Sequence, residues 1–165
     1  MALKRLSPTF GHRVKPRGAQ GRILYVEDDD ANWRVTHRCL RDKYSLAHAR
    51  NSQEAMDRVI NQDFDLILLD IELAGSHHDG IGICRILRGT DPMPWGLTRP
   101  AWLDDPVPIV FMTAYTSRYP REELLRQGAN EVVTKPVDYT RLLLVSSRLI
   151  VSALRGSNGP TAQGA

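Results

Sequence analysis

Cysteine is scarce in this chain: there are two in 165 residues, Cys39 and Cys84, with no Cys-x-x-Cys spacing. The pair reads as buried free thiols in a reducing compartment, which places the chain in the cytoplasm. Long apolar runs are missing too. No stretch approaches the ~20 apolar residues of a membrane span, so no membrane insertion is expected. The positively charged N-terminus, MALKRLSPTFGHRVKPRG, lacks the apolar segment of a secretory signal. Acidic residues are absent from residues 1–22, which hold Lys4, Arg5, Arg13, Lys15, Arg17 and Arg22. The remaining 16 of the 22 basic residues face 19 acids, so the net charge of +3 averages a basic leader with a mildly acidic body. That leader, residues 1–20, is broken by Pro and Gly and reads as solvated and disordered rather than as a nucleic-acid arm. No internal repeat is visible.

With 42% hydrophobic and 25% charged residues, the rest is long enough for one globular domain with its own core. Arg22 to Val26 reads as a strand followed by the acidic cluster EDDD. Ala31 to Leu40 has helical spacing, with Ala31, Val35, Cys39 and Leu40 as its apolar stripe and Asp30 as N-cap. Tyr44 to Ala49 is a second strand. A helix follows through Ile60, capped by Asn51 or Ser52. Asp65 to Leu69 is a third strand, and Gly80 to Arg88 a helix with Ile83, Ile86 and Leu87 inward. Residues 89–106 (GTDPMPWGLTRPAWLDDP) show no periodicity and form a long loop. Val107 to Met112 is a fully apolar strand, Pro120 to Gln127 a short helix closed by Gly128, and Glu131 to Thr134 a fifth strand. Asp138 caps a last helix through about Leu154, and residues 155–165 read as a disordered tail. Five strands alternating with five helices predict an α/β fold: a parallel sheet with right-handed crossovers and helices on both faces.

Asp70 stands out in this pattern. It ends the apolar run LILL of a strand buried on both faces, where an isolated charge is too costly to leave unpaired. In a doubly wound sheet of order 2-1-3-4-5 the first and third strands are neighbours at the switch point, where ligands bind. Glu27 and Asp28 would then converge on Asp70. Two carboxylates ~5 Å apart repel by roughly 3 kcal/mol at an effective dielectric of 20, so a positive group must lie between them. Hard oxygen ligands in a partly open site suit Mg²⁺. Thr113, ending the fourth strand, supplies a hydroxyl, and Lys135, ending the fifth, an ammonium. Phosphoryl transfer needs mainly positioning and charge neutralisation, with Asp as a competent nucleophile. The set reads as an aspartyl-phosphate site.

Through VEDD (Glu27, Asp28), Asp70 in LILLDIEL, Asp79-Gly80, Thr113-Ala114 in IVFMTA, and Lys135-Pro136 in GANEVVTKP, residues 21–154 resemble the CheY-like receiver domains of response regulators. The resemblance implies a flavodoxin-like fold and a two-component phosphorelay role. Asp70 would accept a phosphoryl group from a histidine kinase or a histidine phosphotransfer protein. Mg²⁺ would be held by Glu27, Asp28, Asp70 and the backbone carbonyl of Glu72, while Thr113 and Lys135 grip the acyl phosphate. Glu72 and Tyr115 occupy positions that tune phosphate lifetime in the family. Thr113 belongs to the switch, but its usual aromatic partner on the fifth strand is replaced by Val132, so an aromatic relay cannot operate there. The loop before Asp79 is longer than usual, and Ala74 stands where a proline is expected.

His77-His78 lack a third soft ligand for a metal site. Trp95 and Trp102 argue that the 89–106 loop packs on a partner or on the domain's own surface, and Trp33 reads as buried between helices. A stand-alone switch is expected, with no output module, signalling through an unidentified downstream protein or a homodimer and not through DNA. Two alternatives remain: a binding module independent of phosphorylation, and a haloacid-dehalogenase-type phosphatase, whose Asp-x-Asp is faintly mimicked by Asp70-Ile71-Glu72.

Overall fold

The computed structural model describes residues 20–114 and 118–156. Five parallel strands pair in the order 2-1-3-4-5. They are β1 (Gly21–Val26), β2 (Tyr44–Ala49), β3 (Leu66–Asp70), β4 (Ile109–Thr113) and β5 (Glu131–Thr134). Between and after them run α1 (Asp30–Leu40), α2 (Ser52–Asn61), α3 (Gly80–Arg88), α4 (Arg121–Arg126) and α5 (Tyr139–Gly156). The central strands are buried at every position of β3 and β4, which is why their sequences are continuous apolar runs and not alternating ones. Successive side chains still point to opposite faces. Leu24, Val26, Ile67, Leu69, Ile109, Phe111 and Val132 share one core with α2, α3 and α4. Ile23, Tyr25, Leu66, Leu68, Val110, Met112 and Val133 share the other with Leu40 of α1 and Leu142 of α5. Among the described residues no helix is long and apolar enough to cross a membrane.

The helix ends follow the expected chemistry with small displacements. Asn51 Oδ1 accepts from Glu54 N (2.9 Å) at the start of α2, and Asp138 Oδ1 accepts from Arg141 N (3.0 Å) at the start of α5. Asp29, not Asp30, caps α1, its Oδ1 accepting from the amides of Ala31 and Asn32 at 2.7 and 2.9 Å. Of the stripe expected on α1 (Ala31, Val35, Cys39 and Leu40) only Leu40 is buried. Thr36 and Leu40 are buried, whereas Val35 is 43% exposed and Cys39 is exposed, so only Cys84 is a buried thiol. The reason is that α1's inner face runs through Trp33, Thr36 and Leu40, so a polar residue stands at its centre. Trp33, half-buried, stacks on His48 of β2 (4.3 Å, 6°) and lies 5.1 Å from His37 of its own helix, against the core shared by α1 and α5.

Residues 89–106 form a strap held to the domain. Two single-turn 3-10 segments, Pro94–Gly96 and Ala101–Leu103, punctuate it. Arg99 donates to the carbonyls of Ile86, Leu87 and Leu103 at 3.0, 2.8 and 3.0 Å, closing the C-terminal end of α3. Trp102 Nε1 donates to Val59 O (2.9 Å) and its ring meets Phe64 edge-on. Trp95 remains 46% exposed beside His77 and His78. Of the two tryptophans, Trp102 thus packs on the domain's own surface. The basic leader up to residue 19, the tail from 157 and Tyr115 lie outside the described residues. Residues 155 and 156 belong to α5 and not to a tail.

Candidate functional site

The strand register assembles the site. Val26 pairs with Leu69, Asp70 with Met112 and Thr113 with Thr134, so β3 and β4 each run one residue further than their apolar runs. The residues that follow Val26, end β3 and β4, and follow Thr134 therefore meet along the carboxyl-terminal edge of the sheet, where the parallel strands end. Ligand oxygens of Glu27, Asp28 and Asp70 lie within 4.8 Å of one another. Among the described residues this is the one group of three His, Cys, Asp or Glu side chains able to share an ion. His77 and His78 bring no third ligand and instead make ring contacts with Trp95.

Lys135 sits inside the acidic group. Its Nζ donates to Glu27 Oε2 and to Asp70 Oδ2, both at 2.8 Å. Its backbone amide donates to Thr113 O (2.7 Å), which ties β5 to β4 at the point where the ammonium leaves the strand. Glu27 and Thr113 are each 1% exposed. Glu27 is the better satisfied carboxylate. Tyr25 OH donates to its Oε2 (2.5 Å), and Asn32 Nδ2 and the Asp29 amide donate to its Oε1 at 3.2 and 3.3 Å. Asp70 has Lys135 and one long bond from Glu72 N (3.3 Å).

The protonation equilibria divide accordingly. Burial pushes the Asp70 carboxyl up to about 6, with Glu27's charge adding to it and Lys135 holding it back. Burial also works against charged Glu27, but hydrogen bonds from Lys135 and Tyr25 and the ammonium's charge hold it below the usual carboxylate range. Lys135 is raised: burial alone would lower it, but its bonds to Asp70 and Glu27 outweigh that. Lys135 is shared by both acids, and Asp70, with fewer donors than Glu27, is the one whose charged form is disfavoured.

The loop after β3 is drawn tight over this edge. Ala74 N donates to Asp28 Oδ2 (3.1 Å), and Asp79 Oδ1 accepts from Gly82 N (2.7 Å) to cap α3. Gly80 N donates to Ile71 O (2.9 Å), and a Cβ at Gly80 would stand 2.1 Å from Asp70 O. The glycine is thus required by close approach. Glu72's carboxylate turns outward, 3.7 Å from Arg118 Nη1, in a pair too exposed to hold much. Val132 is buried against the α2–α3–α4 side of the sheet. Tyr25, the Ala74 amide and Arg118 escape the sequence reading. Only Tyr25 left a signal, since strand alternation puts positions 25 and 27 on one face.

The donor set suits a hard divalent cation. Three carboxylates against one ammonium leave two negative charges uncompensated, and all the offered atoms are oxygens.

A family model described as the response regulator receiver domain matches residues 23–146. The transcriptional regulatory protein ZraR of Klebsiella oxytoca is 31% identical over 134 residues, covering 81% of this chain and 27% of that protein. The response regulator PleD of Caulobacter vibrioides is 31% identical over 144 residues, covering 81% and 28%. The chain therefore spans about a quarter of the length of these curated relatives. Among solved structures, the receiver domain of a LuxO repressor protein from Vibrio parahaemolyticus shares the fold with a TM-score of 0.71 at 20% identity, over 87% of this chain and 100% of that one. The receiver domain of sensor histidine kinase PA1611 from Pseudomonas aeruginosa has a TM-score of 0.66 at 28% identity, over 81% and 99%, and holds a magnesium ion coordinated in its active-site cleft.

Proposed function

The chain belongs to the response regulator receiver domain family, and from that premise we propose that it is a Mg²⁺-dependent phosphoacceptor switch with Asp70 as the acceptor, its receiver unit running over residues 21–154. An Asp70 carboxylate oxygen attacks the phosphorus of a phosphohistidine on a kinase or phosphotransfer protein. The O–P bond forms, the N–P bond breaks, and the departing imidazole takes up a proton. Glu27, Asp28, Asp70 and the Glu72 carbonyl are the groups to hold Mg²⁺, which would screen the incoming phosphoryl charge. Lys135, already bonded to Asp70, follows the new charge onto a phosphoryl oxygen, and the Thr113 hydroxyl donates to another. The protein thereby modifies itself and does not turn over a substrate. The observation that carries this reading is the pair of hydrogen bonds that Lys135 Nζ donates to Glu27 and Asp70, each 2.8 Å long, a cation placed where phosphoryl charge would arrive.

Phosphorylation then adds charge beside Thr113 and shifts a conformational equilibrium. With Val132 in place of an aromatic, the readout passes to a downstream protein or a second copy by another route. Glu72, the second acid of Asp70-Ile71-Glu72, lies 3.7 Å from Arg118 Nη1, which favours the switch over a phosphatase of Asp-x-Asp type. The two free cysteines support a cytoplasmic location. The test is incubation with acetyl phosphate and Mg²⁺ followed by intact-mass measurement. Wild type should gain one phosphoryl group and Asp70→Asn should gain none. An unmodified wild type, or a modified Asp70→Asn, overturns the assignment.

A further inference from the structure

Glu27 needs four hydrogen-bond donors to remain charged at 1% exposure, and one of them is unusual. Tyr25 lies on β1 and Glu27 follows the strand directly, two residues on, its amide still bonded to Ala49 O of β2 (2.9 Å), so the two side chains project to the same face. The phenol, itself 0% exposed, thereby reaches up under the carboxylate and donates to Oε2 at 2.5 Å. Lys135 Nζ shares that same oxygen at 2.8 Å. His48 Nε2 donates to the Glu27 carbonyl (2.8 Å) from the neighbouring strand, so the residue is held at its backbone as well.

We propose that Tyr25 is a positioning residue of the metal site: it holds Glu27 Oε2 in place so that Lys135 can leave that oxygen when a divalent cation or a phosphoryl group arrives. The argument is one of satisfaction. Lys135 is the mobile partner, because its stem is flexible and its ammonium also serves Asp70. With the phenol present, departure of Lys135 leaves Oε2 hydrogen-bonded. Without it, departure leaves a buried carboxylate oxygen bare, which is costly. Lys135 would then stay bound to Glu27 and compete with the cation for it. The inference rests on the Mg²⁺ reading given above.

Tyr25→Phe removes one oxygen and keeps the buried ring. Mg²⁺ affinity is measured by isothermal titration calorimetry on the full chain, for wild type, Tyr25→Phe, Glu27→Gln and the double variant, with thermal melting of each as a check on folding. Tyr25→Phe should bind Mg²⁺ roughly tenfold more weakly, the loss of one hydrogen bond to a charged group. In the Glu27→Gln background, where Asp28 and Asp70 carry the remaining affinity, it should change nothing further. Equal or tighter binding by Tyr25→Phe overturns the inference. So does the same loss in both backgrounds, which would mark a general loosening of β1. If wild type itself binds no Mg²⁺, the metal reading falls first, and this inference with it.

Discussion

Lys135 and Asp70 face each other at 2.8 Å across the edge of the sheet, and the same ammonium reaches Glu27 at 2.8 Å. In the absence of a bound cation this lysine is the counter-charge that makes the acidic cluster tolerable. Lys135→Met keeps most of the stem's packing and removes the charge. In chelator the variant should lose about 3 kcal/mol of stability, the low end for breaking a buried pair, because the lysine side chain is still 18% exposed. Mg²⁺ should restore more stability to the variant than it adds to wild type. Urea unfolding with chelator and with Mg²⁺ measures both. Equal stability of the two proteins in chelator would show that the bridge holds nothing.

Gly80 links the same edge to α3. A Cβ there would lie 2.1 Å from Asp70 O and 2.8 Å from Ile71 Cα, both backbone atoms that cannot rotate away. Gly80→Ala should therefore push the start of α3 off β3, costing about 3 kcal/mol as an overpacked site, and should displace the acceptor. Phosphorylation by acetyl phosphate should fall more steeply than the melting temperature alone explains. Gly82→Ala is the comparison, since the nearest atom to its Cβ is the His78 side chain, at 3.3 Å. Similar behaviour of the two variants would remove the close-approach argument.

The strand bodies and their polar ends were legible because burial on both faces forces near-continuous apolar runs, so an acid, a hydroxyl or a lysine at the end of one stands out. The register that brings Glu27, Asp70, Thr113 and Lys135 together follows from parallel pairing, which the alternation of strands and helices required. The face of α1 was not legible. Its inward positions are filled by Trp33, Thr36 and Leu40, while the apolar-looking Val35 and Cys39 face water. Tyr25 looks like any other residue of a buried strand, because its hydroxyl matters only beneath Glu27. The strap's anchors, Arg99 and Trp102, bond to carbonyls at helix ends, and no periodicity in the sequence encodes such contacts.

Those anchors make the strap a stability element separate from the site. Arg99 satisfies three carbonyls around the end of α3. Arg99→Ala should cost about 2 kcal/mol, since charged hydrogen bonds are lost and carbonyls at a helix end go unmet. Amide hydrogen exchange across residues 93–103 should speed up, while Mg²⁺ affinity stays at the wild-type value. A shift in Mg²⁺ affinity would instead show that the strap is coupled to the acceptor.

The pH dependence of stability isolates the charge on Asp70. In chelator its carboxyl is pushed up to about 6 by burial and by Glu27, with Lys135 opposing, against 3.8 for the free side chain. The folded protein thus binds more protons at this group than the unfolded chain does between those values. The contribution of Asp70 to stability must fall as pH rises from about 4 to 6 and stay low above that. The penalty is on the order of 2 kcal/mol, given ~1.4 kcal/mol for each unit of pKa difference and some allowance for the coupling to Glu27. Asp70→Asn removes the titrating group. In chelator it should be more stable than wild type at pH 7, with the gap closing as pH falls toward 4. Mg²⁺ should close the gap at pH 7 by neutralising the wild-type carboxylate. Chemical denaturation at a series of pH values measures each. A gap that does not change with pH would show that Asp70's charge is already compensated in the metal-free fold, leaving Lys135 sufficient for both acids.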